Sequence, residues 1–390
     1  MRILEVNKFN HVRGGADKHF VDLANLLQEN GNEVAVFAMD HPENIPSEWS
    51  KYFVSRVDYE NGSALNKIKG ALRIFWSFEA RRKIGKLLDE FQPEIVHIHN
   101  IYHQISPSIL SEIKKRGIPV VMTVHDWKMI CPNYLLNCGG KLCEKCVGGK
   151  YWHCLKNKCV KKSYLKSLIS MLEMYFHRFI RVYEKNIDLY IAPSQFVKDN
   201  LAKAGFSESR IKVLPHFAKA VDARRLLNMQ SNNYALYLGR VSKEKGVDEL
   251  IEIFKDLPID LVLAGKRDSD FMIPDLPNIK HVGFKPSQEI ESLIRNSQFV
   301  VSASQLPETF GLIALEAIAN QKPFIGYRAG AYGEIVRNGV NGSLAESKGE
   351  LKSRIEEFLV NKNRKYYFDI SRFSPEKYHQ SIIDIFRSLC

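Results

Sequence analysis

The feature that most constrains this chain is the alternation of short β-branched runs with longer amphipathic stretches over its first 215 residues. The predicted strands are Ile3–Val6, Glu33–Phe37, Ile95–Ile98, Val120–Val124, Leu189–Ala192 and Lys212–Leu214. The helical patterns between them are Lys18–Glu29, Ala64–Glu90, Ile109–Lys115 and Ser194–Ala204. Strand–helix alternation at this spacing requires right-handed crossovers, and it therefore predicts a parallel sheet that helices cover on both faces.

The same alternation restarts at Tyr234, so two doubly wound α/β units are expected rather than one long sheet. The strands predicted in this second part are 234–239, 259–265, 280–284, 299–304 and 323–327, with helices at Val247–Phe254, Leu312–Ala319 and Leu351–Val360. We expect an N-terminal Rossmann-like domain over 1–216, a second one over 217–372, and a last helix within 373–390 that packs back on the N-terminal domain. The polar stretch from Pro215 to Asn233 is the predicted joint. The length of 390 residues suits two or three domains.

Composition excludes several classes of protein. Hydrophobic residues make up 45% and charged residues 26% of the chain, which is typical of a globular protein and not of a disordered or collagen-like one. No apolar run reaches the 18 or so residues that span a bilayer, so an integral membrane protein is not expected. The opening MRILEVN lacks the layout of a secretory signal.

The formal net charge of +12 is concentrated in two segments that also contain aromatic residues. Segment 141–185 holds 11 Lys and Arg against 3 acidic residues, and segment 63–86 holds 7 against 1. A basic, aromatic surface favours an anionic partner such as membrane lipid, nucleic acid or a phosphorylated substrate. The alternative is a solvated helix face.

Six of the seven cysteines interrupt the strand–helix pattern between residues 126 and 162. They are Cys131, Cys138, Cys143, Cys146, Cys154 and Cys159. A loop of this length without a cross-link is uncommon in a compact domain. Structural zinc on four thiolates, with Cys131, Cys143, Cys146 and Cys159 as the candidate set, is one interpretation. Free thiols are its main alternative, and disulfides lack other signs of secretion.

In the first unit, candidate site residues follow the predicted strands. Gly14 and Gly15 lie in the first strand–helix turn, where ligands bind at the carboxyl edge of parallel sheets. The turn lacks the GxGxxG pattern, which disfavours NAD. His97, His99 and His125 lie at or just past strand ends, and we rank His125 above the other two as a site residue.

In the second unit, two segments carry charged candidates. Arg240 and Lys245 bracket a loop that enters a helix, where two cations can neutralise a diphosphate. Glu308 precedes a predicted helix and Glu316 lies about two turns inside it, so each carboxylate should meet a different part of an elongated ligand. Carboxylates accept hydrogen bonds from vicinal hydroxyls, which points to sugar and ribose recognition. Backbone N–H groups near Phe310 and Gly311 could bind an anionic leaving group.

Together these motifs resemble the retaining glycosyltransferases of family 4, whose GT-B fold consists of two Rossmann-like domains that face a central cleft. The most specific elements are Glu308-x-Phe310-Gly311-x4-Glu316 and Gly239-Arg240-x4-Lys245-Gly246. The cysteine insert after HDW is similar to that of the subgroup that builds bacterial capsular, exopolysaccharide or O-antigen chains. The segment AGAYGEIV (329–336) departs from the Gly-Gly often found there, which puts the phosphate contacts of that loop in doubt.

The resemblance implies a role for each matching residue. Arg240 and Lys245 would bind and stabilise the departing diphosphate, Glu308 the donor sugar and Glu316 the ribose. His125 would contact the donor sugar, and Gly15 would line the cleft. The implied donor is a UDP- or GDP-sugar, and no metal is implied for catalysis. The implied acceptor is a lipid-linked or other saccharide, which the protein would reach from the cytoplasm, at the inner face of the cytoplasmic membrane.

Three alternatives remain open. A nucleotide-sugar epimerase or hydrolase of the same fold would act on the donor without an acceptor. A zinc-stapled, basic nucleic-acid-binding protein would use the cysteines and the basic segments, but it leaves Glu308 and Glu316 without a role, and a nucleic-acid partner is therefore not expected. A catalytically silent protein of the same fold is disfavoured because the charged motif residues are all present.

Overall fold

A computed structural model describes residues 1–57, 70, 72–220, 232–361 and 364–390. It divides into two compact units. The first comprises Met1–Cys138, Cys143–Pro215 and Tyr378–Cys390, and the second comprises Gly139–Leu142 and His216–Lys377. Part of the predicted joint, 221–231, lies outside the described residues.

The first unit is built on a six-stranded parallel sheet with the order β2-β1-β3-β4-β7-β8. Its strands are β1 Arg2–Val6, β2 Glu33–Phe37, β3 Ile95–Ile98, β4 Val120–Thr123, β7 Leu189–Ala192 and β8 Ile211–Val213. Its helices are Gly15–Glu29, Phe78–Phe91, Ser108–Lys114, Trp152–Lys156, Tyr164–Ile180, Val182–Asn186 and Gln195–Lys203, with 3-10 turns at Glu48–Tyr52 and Glu208–Arg210. A two-stranded hairpin, β5 Asn137–Cys138 with β6 Lys141–Leu142, lies in the cysteine insert.

The second unit is also built on a six-stranded sheet that is parallel throughout, but its order, β11-β10-β9-β12-β13-β14, places two strands beyond its first strand where the first sheet has one. Its strands are β9 Tyr234–Leu238, β10 Asp260–Ala264, β11 Ile279–Gly283, β12 Phe299–Ser302, β13 Phe324–Tyr327 and β14 Gly342–Ala345. Its helices are Val247–Phe254, Ser287–Asn296, Leu312–Ala319, Tyr332–Ile335 and Lys348–Val360, with 3-10 turns at Lys243–Lys245 and Ser371–Phe373. The helix Pro375–Arg387 follows.

Both faces of the central strand β9 are buried, as its unbroken apolar run predicts. Ala235 and Tyr237 of β9 belong to one core cluster, whereas Leu236 and Leu238 belong to the cluster on the opposite face. This double burial explains why β9 is apolar throughout, whereas the edge strand β11 exposes Lys280 and His281. The predicted α/β fold with two parallel sheets is confirmed.

The structure differs from the predictions at several elements. The long predicted helix Ala64–Glu90 is interrupted at Trp76, and a helix begins at Phe78 because the Ser77 hydroxyl accepts a hydrogen bond from the Ala80 N–H. The first part of that prediction, 64–69 and 71, lies outside the described residues. Helix Ser287–Asn296 and strand Gly342–Ala345 were not predicted. Among the described residues, no helix combines the length and the apolar composition needed to cross a bilayer.

Candidate active site

The strand orders place a switch point in each sheet where ligands bind in folds of this class. In the second sheet the chain runs outward from β9 to β10 and β11, then crosses back to β12 and continues the other way. The loops after β9 and β12 therefore diverge at the carboxyl edge and leave a crevice between them. Arg240 follows β9 and Glu308 follows β12, so both predicted motifs lie at this switch point.

Lys245 and Glu308 meet directly. Lys245 ends the 3-10 turn Lys243–Lys245, and its Nζ donates to Oε1 of Glu308 at 2.7 Å. Their side chains are 27% and 25% exposed. An ion pair that water still reaches contributes at most about 1 kcal/mol, so a ligand can replace either partner at little cost.

Arg240 lies on the same loop in a more open setting. Its side chain is 47% exposed and donates to Oε2 of Glu244 at 2.8 Å, while Asp268 lies 3.9 Å away. The backbone of this loop is held by the sheet, because the hydroxyl of the buried Tyr237 in β9 donates a hydrogen bond to the Arg240 carbonyl at 2.8 Å. The structure therefore brings Lys245 into contact with Glu308 and pairs Arg240 with two other carboxylates.

The turn between Glu308 and Glu316 depends on a glycine. Gly311 has a φ of 99° and precedes helix Leu312–Ala319, and a Cβ there would lie 2.7 Å from the Tyr332 ring. Phe310 is buried and packs edge-on against His216, with ring centroids 4.9 Å apart. The Phe310 ring is thus a core group that fixes the turn, and only its backbone could face a ligand. Glu316 lies half-buried in the second turn of the helix.

A second loop, which the sequence analysis treated only as a departure from the family pattern, holds Glu308 in place. Gly330 has a φ of 62°, and a Cβ on it would lie 2.3 Å from the Glu308 carbonyl oxygen. The Ala331 N–H donates to that same carbonyl at 2.9 Å. The loop after β13 therefore positions the Glu308 backbone, and a glycine just after a predicted strand was the available signal.

In the first sheet the switch point lies between β1 and β3. Gly14 is the N-cap of helix Gly15–Glu29 in an extended conformation, and Gly15 is exposed. A Cβ added to Gly14 would meet no atom within 4 Å, so contacts within the protein do not require a glycine there. Behind the turn, the Asn7 amide donates to Oδ1 of the buried Asp17 at 3.0 Å.

The three candidate histidines form one hydrogen-bonded cluster around a carboxylate that sequence reasoning missed. Glu5 of β1 pairs in register with His97 of β3, and both are fully buried. Oε1 of Glu5 lies 3.1 Å from His97 Nδ1, and Oε2 lies 2.8 Å from Nε2 of the buried His99. His99 Nδ1 lies 2.7 Å from Nε2 of the half-buried His125. His97 Nε2 lies 2.8 Å from the Thr123 hydroxyl.

The cluster strongly perturbs two of its groups. Burial alone would raise the pKa of Glu5, but the charge of His97 and hydrogen bonds from both histidines outweigh burial and bring the pKa down to about 2. Burial, with the repulsion of His97, lowers the pKa of His99 to about 4. At neutral pH Glu5 is therefore a carboxylate and His99 a neutral imidazole.

Two groups in the described part of the chain bring three possible metal ligands within 4.8 Å of one another, and neither contains a cysteine. One is Glu5, His97 and His99; the other is His11, His41 and Glu43. In the first, both carboxylate oxygens already accept hydrogen bonds from the two histidines. The hydrogen bonds therefore account for this group without an ion.

All seven cysteines are free thiols. Cys131 donates to the Asn133 side chain at 2.9 Å, and Cys146 and Cys154 lie in a small apolar cluster with Tyr151 and Met174. Burial, together with neighbouring thiols, raises the pKa of Cys146 to about 12. The sulfur atoms of the proposed ligands Cys131, Cys143, Cys146 and Cys159 do not all lie within 4.8 Å of one another, although the other three thiols act electrostatically on Cys146. Zinc in the insert stays a prediction without support from this geometry.

Comparisons with known proteins agree with the two-unit division. The family model for Glycosyltransferase Family 4 matches residues 13–219, and the model for Glycosyl transferases group 1 matches residues 220–367. An uncharacterized glycosyltransferase of Methanocaldococcus jannaschii is 25% identical over 370 residues, which cover 93% of this chain and 89% of that protein. The lipopolysaccharide 1,2-N-acetylglucosaminetransferase of Salmonella typhimurium is 26% identical over 208 residues, 47% of this chain and 60% of that protein.

Solved structures show the same fold at low sequence identity. The Anabaena protein HepE, in complex with UDP and glucose, aligns over 100% of both chains with a TM-score of 0.66 and 16% identity. Sucrose-phosphate synthase from Thermosynechococcus elongatus aligns over 100% of this chain and 98% of its own, with a TM-score of 0.69 and 16% identity. The family match extends over more than half of the 390 residues, and the chain accordingly belongs to Glycosyltransferase Family 4 as a glycosyltransferase with the GT-B fold.

Proposed function

We propose that the protein transfers a sugar from a UDP- or GDP-sugar to a hydroxyl of a lipid-linked saccharide, with retention of configuration, in the synthesis of a surface polysaccharide. The observation that carries this proposal is the contact of Lys245 with Glu308 at the switch point of the second sheet. A cation and a carboxylate side by side match the two parts of the donor: the cation can bind its diphosphate, and the carboxylate can accept hydrogen bonds from the hydroxyls of its sugar. The solved relative with UDP and glucose and the lipopolysaccharide transferase support this class of donor and product.

The proposed reaction breaks the bond between the anomeric carbon and the diphosphate oxygen and forms a bond from that carbon to the acceptor oxygen. The acceptor proton leaves with the diphosphate or through solvent. Lys245 and Arg240 stabilise the negative charge that develops on the leaving diphosphate, assisted by the N-terminus of helix Leu312–Ala319. Freed from Lys245, Glu308 accepts hydrogen bonds from hydroxyls of the donor sugar.

The remaining site residues have supporting roles in the same proposal. Glu316 accepts hydrogen bonds from the ribose, and the backbone at Phe310 and Gly311 contacts the phosphate side. His125 contacts the donor sugar near the reacting carbon, and Gly15 lines the cleft near the phosphates and the acceptor. Catalysis in this proposal uses no metal.

Binding and turnover test the proposal together. A thermal-shift panel of nucleotides and nucleotide sugars should show stabilisation by one base class, because a ligand that binds only the folded state raises its apparent stability. Glu316→Ala should weaken that shift, and Glu334→Ala, an exposed carboxylate on the neighbouring helix, is the matched control. NMR of the product should show the anomeric configuration of the donor. An inverted product, or conversion of the donor without any acceptor as an epimerase or hydrolase would give, contradicts the proposal.

The acceptor side of the proposal rests on helix Tyr164–Ile180. One face packs into the first unit through Ser167, Ser170, Glu173, Met174 and His177. The other exposes Leu165, Leu172 and Phe179, seven residues apart, with exposed fractions of 65%, 46% and 87%. Exposed basic residues flank this stripe: Lys162, Lys166, Arg178 and Arg181. An apolar stripe edged by cations favours an anionic lipid surface.

The second basic segment adjoins this helix. His177 Nε2 lies 3.0 Å from the Phe75 carbonyl, and the Phe75 and Phe176 rings meet edge to face at 5.9 Å. Residues 72–86 of the second basic segment and helix Tyr164–Ile180 therefore adjoin on the first unit. We propose that this surface docks on the inner face of the cytoplasmic membrane and presents the lipid-linked acceptor.

Sedimentation with liposomes tests this surface. The protein should sediment with vesicles that contain anionic lipid at low salt and be released as salt rises. Phe179→Ser should reduce the bound fraction, whereas Tyr367→Ser, which removes a similarly exposed aromatic ring from the second unit, should not. Equal binding of both variants contradicts the assignment of this face.

A further inference from the structure

Glu5 is the group that the proposed function leaves without a role. It lies at 0% exposure inside the first sheet, where a carboxylate is costly unless hydrogen bonds satisfy it. Both of its oxygens are satisfied, one by His97 and the other by His99. His99 in turn contacts His125, the residue of this unit that the proposed function assigns to the donor sugar.

The hydrogen bonds determine where each proton lies along this chain of groups. Glu5 is ionised and can only accept, so Nε2 of His99 carries the proton that it donates to Oε2. His99 is neutral, which leaves its Nδ1 as an acceptor. Because that Nδ1 lies 2.7 Å from Nε2 of His125, the proton between them belongs to His125. His125 therefore carries a proton on Nε2, and in its neutral form Nδ1 is the acceptor nitrogen.

Packing fixes the ring planes as well. The His99 and His125 rings are nearly parallel, at 16° with centroids 5.0 Å apart, and Phe20 packs edge-on against His99 at 5.2 Å. His19 lies 5.5 Å from His125 and its Nε2 is 3.2 Å from the hydroxyl of Tyr378, on the last helix. The arrangement allows His125 little rotation.

We propose that Glu5 and His99 are positioning residues that hold His125 in the Nε2–H tautomer and direct its Nδ1 lone pair to a hydroxyl of the donor sugar. The first half of this statement stands on the hydrogen bonds together with the charge states of Glu5 and His99, while the second rests on the proposed function of His125. An imidazole fixed in this way accepts a hydroxyl proton and cannot donate from Nδ1. It therefore selects a donor sugar with a hydroxyl at the contacted position over its deoxy analogue.

Two hydrogen-bonded arms extend from Glu5, one through His99 to His125 and the other through His97 to Thr123, and each matched variant changes one of them. His99→Gln keeps an amide N–H near the position of Nε2, so Glu5 retains a donor, but it removes the acceptor that faces His125. Thr123→Val disturbs the His97 arm at the same depth and leaves the contact between His99 and His125 in place. A merely structural role for Glu5 and His99 would make the two variants alike.

Long-range proton–nitrogen NMR of the full chain labelled with 15N-histidine reads the tautomer directly, without donor. His125→Asn identifies the His125 signals by their loss. In the wild type we expect the pattern of an Nε2–H neutral imidazole at pH 7. His99→Gln should convert His125 to a mixture of tautomers and lower kcat/KM about tenfold, which corresponds to ~1.4 kcal/mol. Thr123→Val should leave the His125 signals unchanged.

The outcomes separate this inference from the function on which it rests. An Nδ1–H tautomer or an imidazolium at position 125 in the wild type overturns the positioning role, even if His99→Gln fails to fold. An unchanged His125 pattern in a folded His99→Gln protein overturns it too. If the tautomer is as expected but His125→Ala turns over normally, the positioning is supported and the proposed contact of His125 with the donor is wrong.

Discussion

Both sheets are six-stranded and parallel with a switch point beside their first strand, yet the charged groups near their carboxyl edges are held in different ways. Glu5 of the first unit is wholly buried between two histidines, whereas Glu308 of the second is a quarter exposed beside one lysine. A buried carboxylate with satisfied oxygens fixes the orientation of its partners, because breaking either contact leaves a charge without solvent. A part-exposed ion pair separates at little cost. The first edge is thus suited to positioning side chains and the second to exchanging partners with a ligand.

The largest expected effect tests the exchangeable pair. Lys245→Ala should lower kcat/KM by about 100- to 1000-fold, because the leaving diphosphate loses ~2–4 kcal/mol of stabilisation in the transition state. Lys243→Ala, which removes an exposed cation from the same 3-10 turn, is the control and should stay within about threefold. Steady-state kinetics with the donor from the thermal-shift panel measures both. Similar losses in the two variants would mean that the loop acts through its overall charge.

As pH falls, the free energy of unfolding of the first unit should decrease before that of the second. In the folded protein the pKa of His99 is lowered to about 4, so His99 takes up a proton more readily in the unfolded chain. The free energy of unfolding of the first unit therefore falls as pH drops from 6.5 towards 4. Glu5, with its pKa lowered to about 2, stabilises the fold fully above pH 4.5, and that contribution disappears as pH falls towards 2. Each of these two groups amounts to a few kcal/mol.

Urea unfolding between pH 7 and pH 3 measures this difference. Two transitions should separate as pH falls, with the first unit unfolding earlier. Glu5→Gln removes one of the two titrating groups and should reduce the pH dependence of that transition below pH 4.5, although it lowers stability at pH 7. If the free energy of unfolding of the second unit falls as steeply with pH as that of the first, the proposed difference between the two sheet edges is wrong.

A smaller effect concerns the loop that supports Glu308. Gly330→Ala places a Cβ in a left-handed conformation against the Glu308 carbonyl and should destabilise the second unit by about 1–3 kcal/mol. The KM for the donor should rise, because Glu308 shifts. Gly349→Ala, in helix Lys348–Val360 with nothing within 4 Å of the added Cβ, should leave stability equal or slightly higher. Thermal unfolding with donor titration compares the two variants.

The contrast between the edges also explains what the sequence could and could not reveal. The strands were predictable because their apolar runs are local, and the Lys245–Glu308 region was predictable because the motif residues lie just past strands. Glu5 was missed because it sits in RILEV like any polar residue of a half-buried strand. Its partner His97 is 92 positions away, and the register of β1 with β3 brings the two together. The signal was a carboxylate inside a strand predicted to be buried on both faces.

Gly330 was missed for a similar reason. Its contact with Glu308 joins the loops after two neighbouring strands, β12 and β13, and the local signal, a glycine after a predicted strand, does not show which loop it approaches. The break in the long predicted helix was local, however. Ser77 is a favourable N-cap two residues before Glu79, and periodicity alone concealed it.

The smallest expected effect concerns the cysteine insert. It tests whether the insert contributes only to the stability of the first unit or also to ligand binding at a sheet edge. Cys143→Ala removes a half-buried thiol from the insert and should lower the melting temperature of the first unit by about 2–4 °C, as expected for ~1 kcal/mol in a unit of this size. Cys390→Ala, an exposed thiol at the chain end, should have no such effect. Neither variant should alter the nucleotide-dependent shift in melting temperature.

A chelator tests for zinc in the insert. If a chelator lowers the melting temperature of the wild type but not of Cys143→Ala, zinc holds the insert. An unchanged melting temperature with chelator, together with the small loss in Cys143→Ala, assigns the thiols to packing. In either case the insert stabilises the first unit without taking part in the exchange of partners at Glu308.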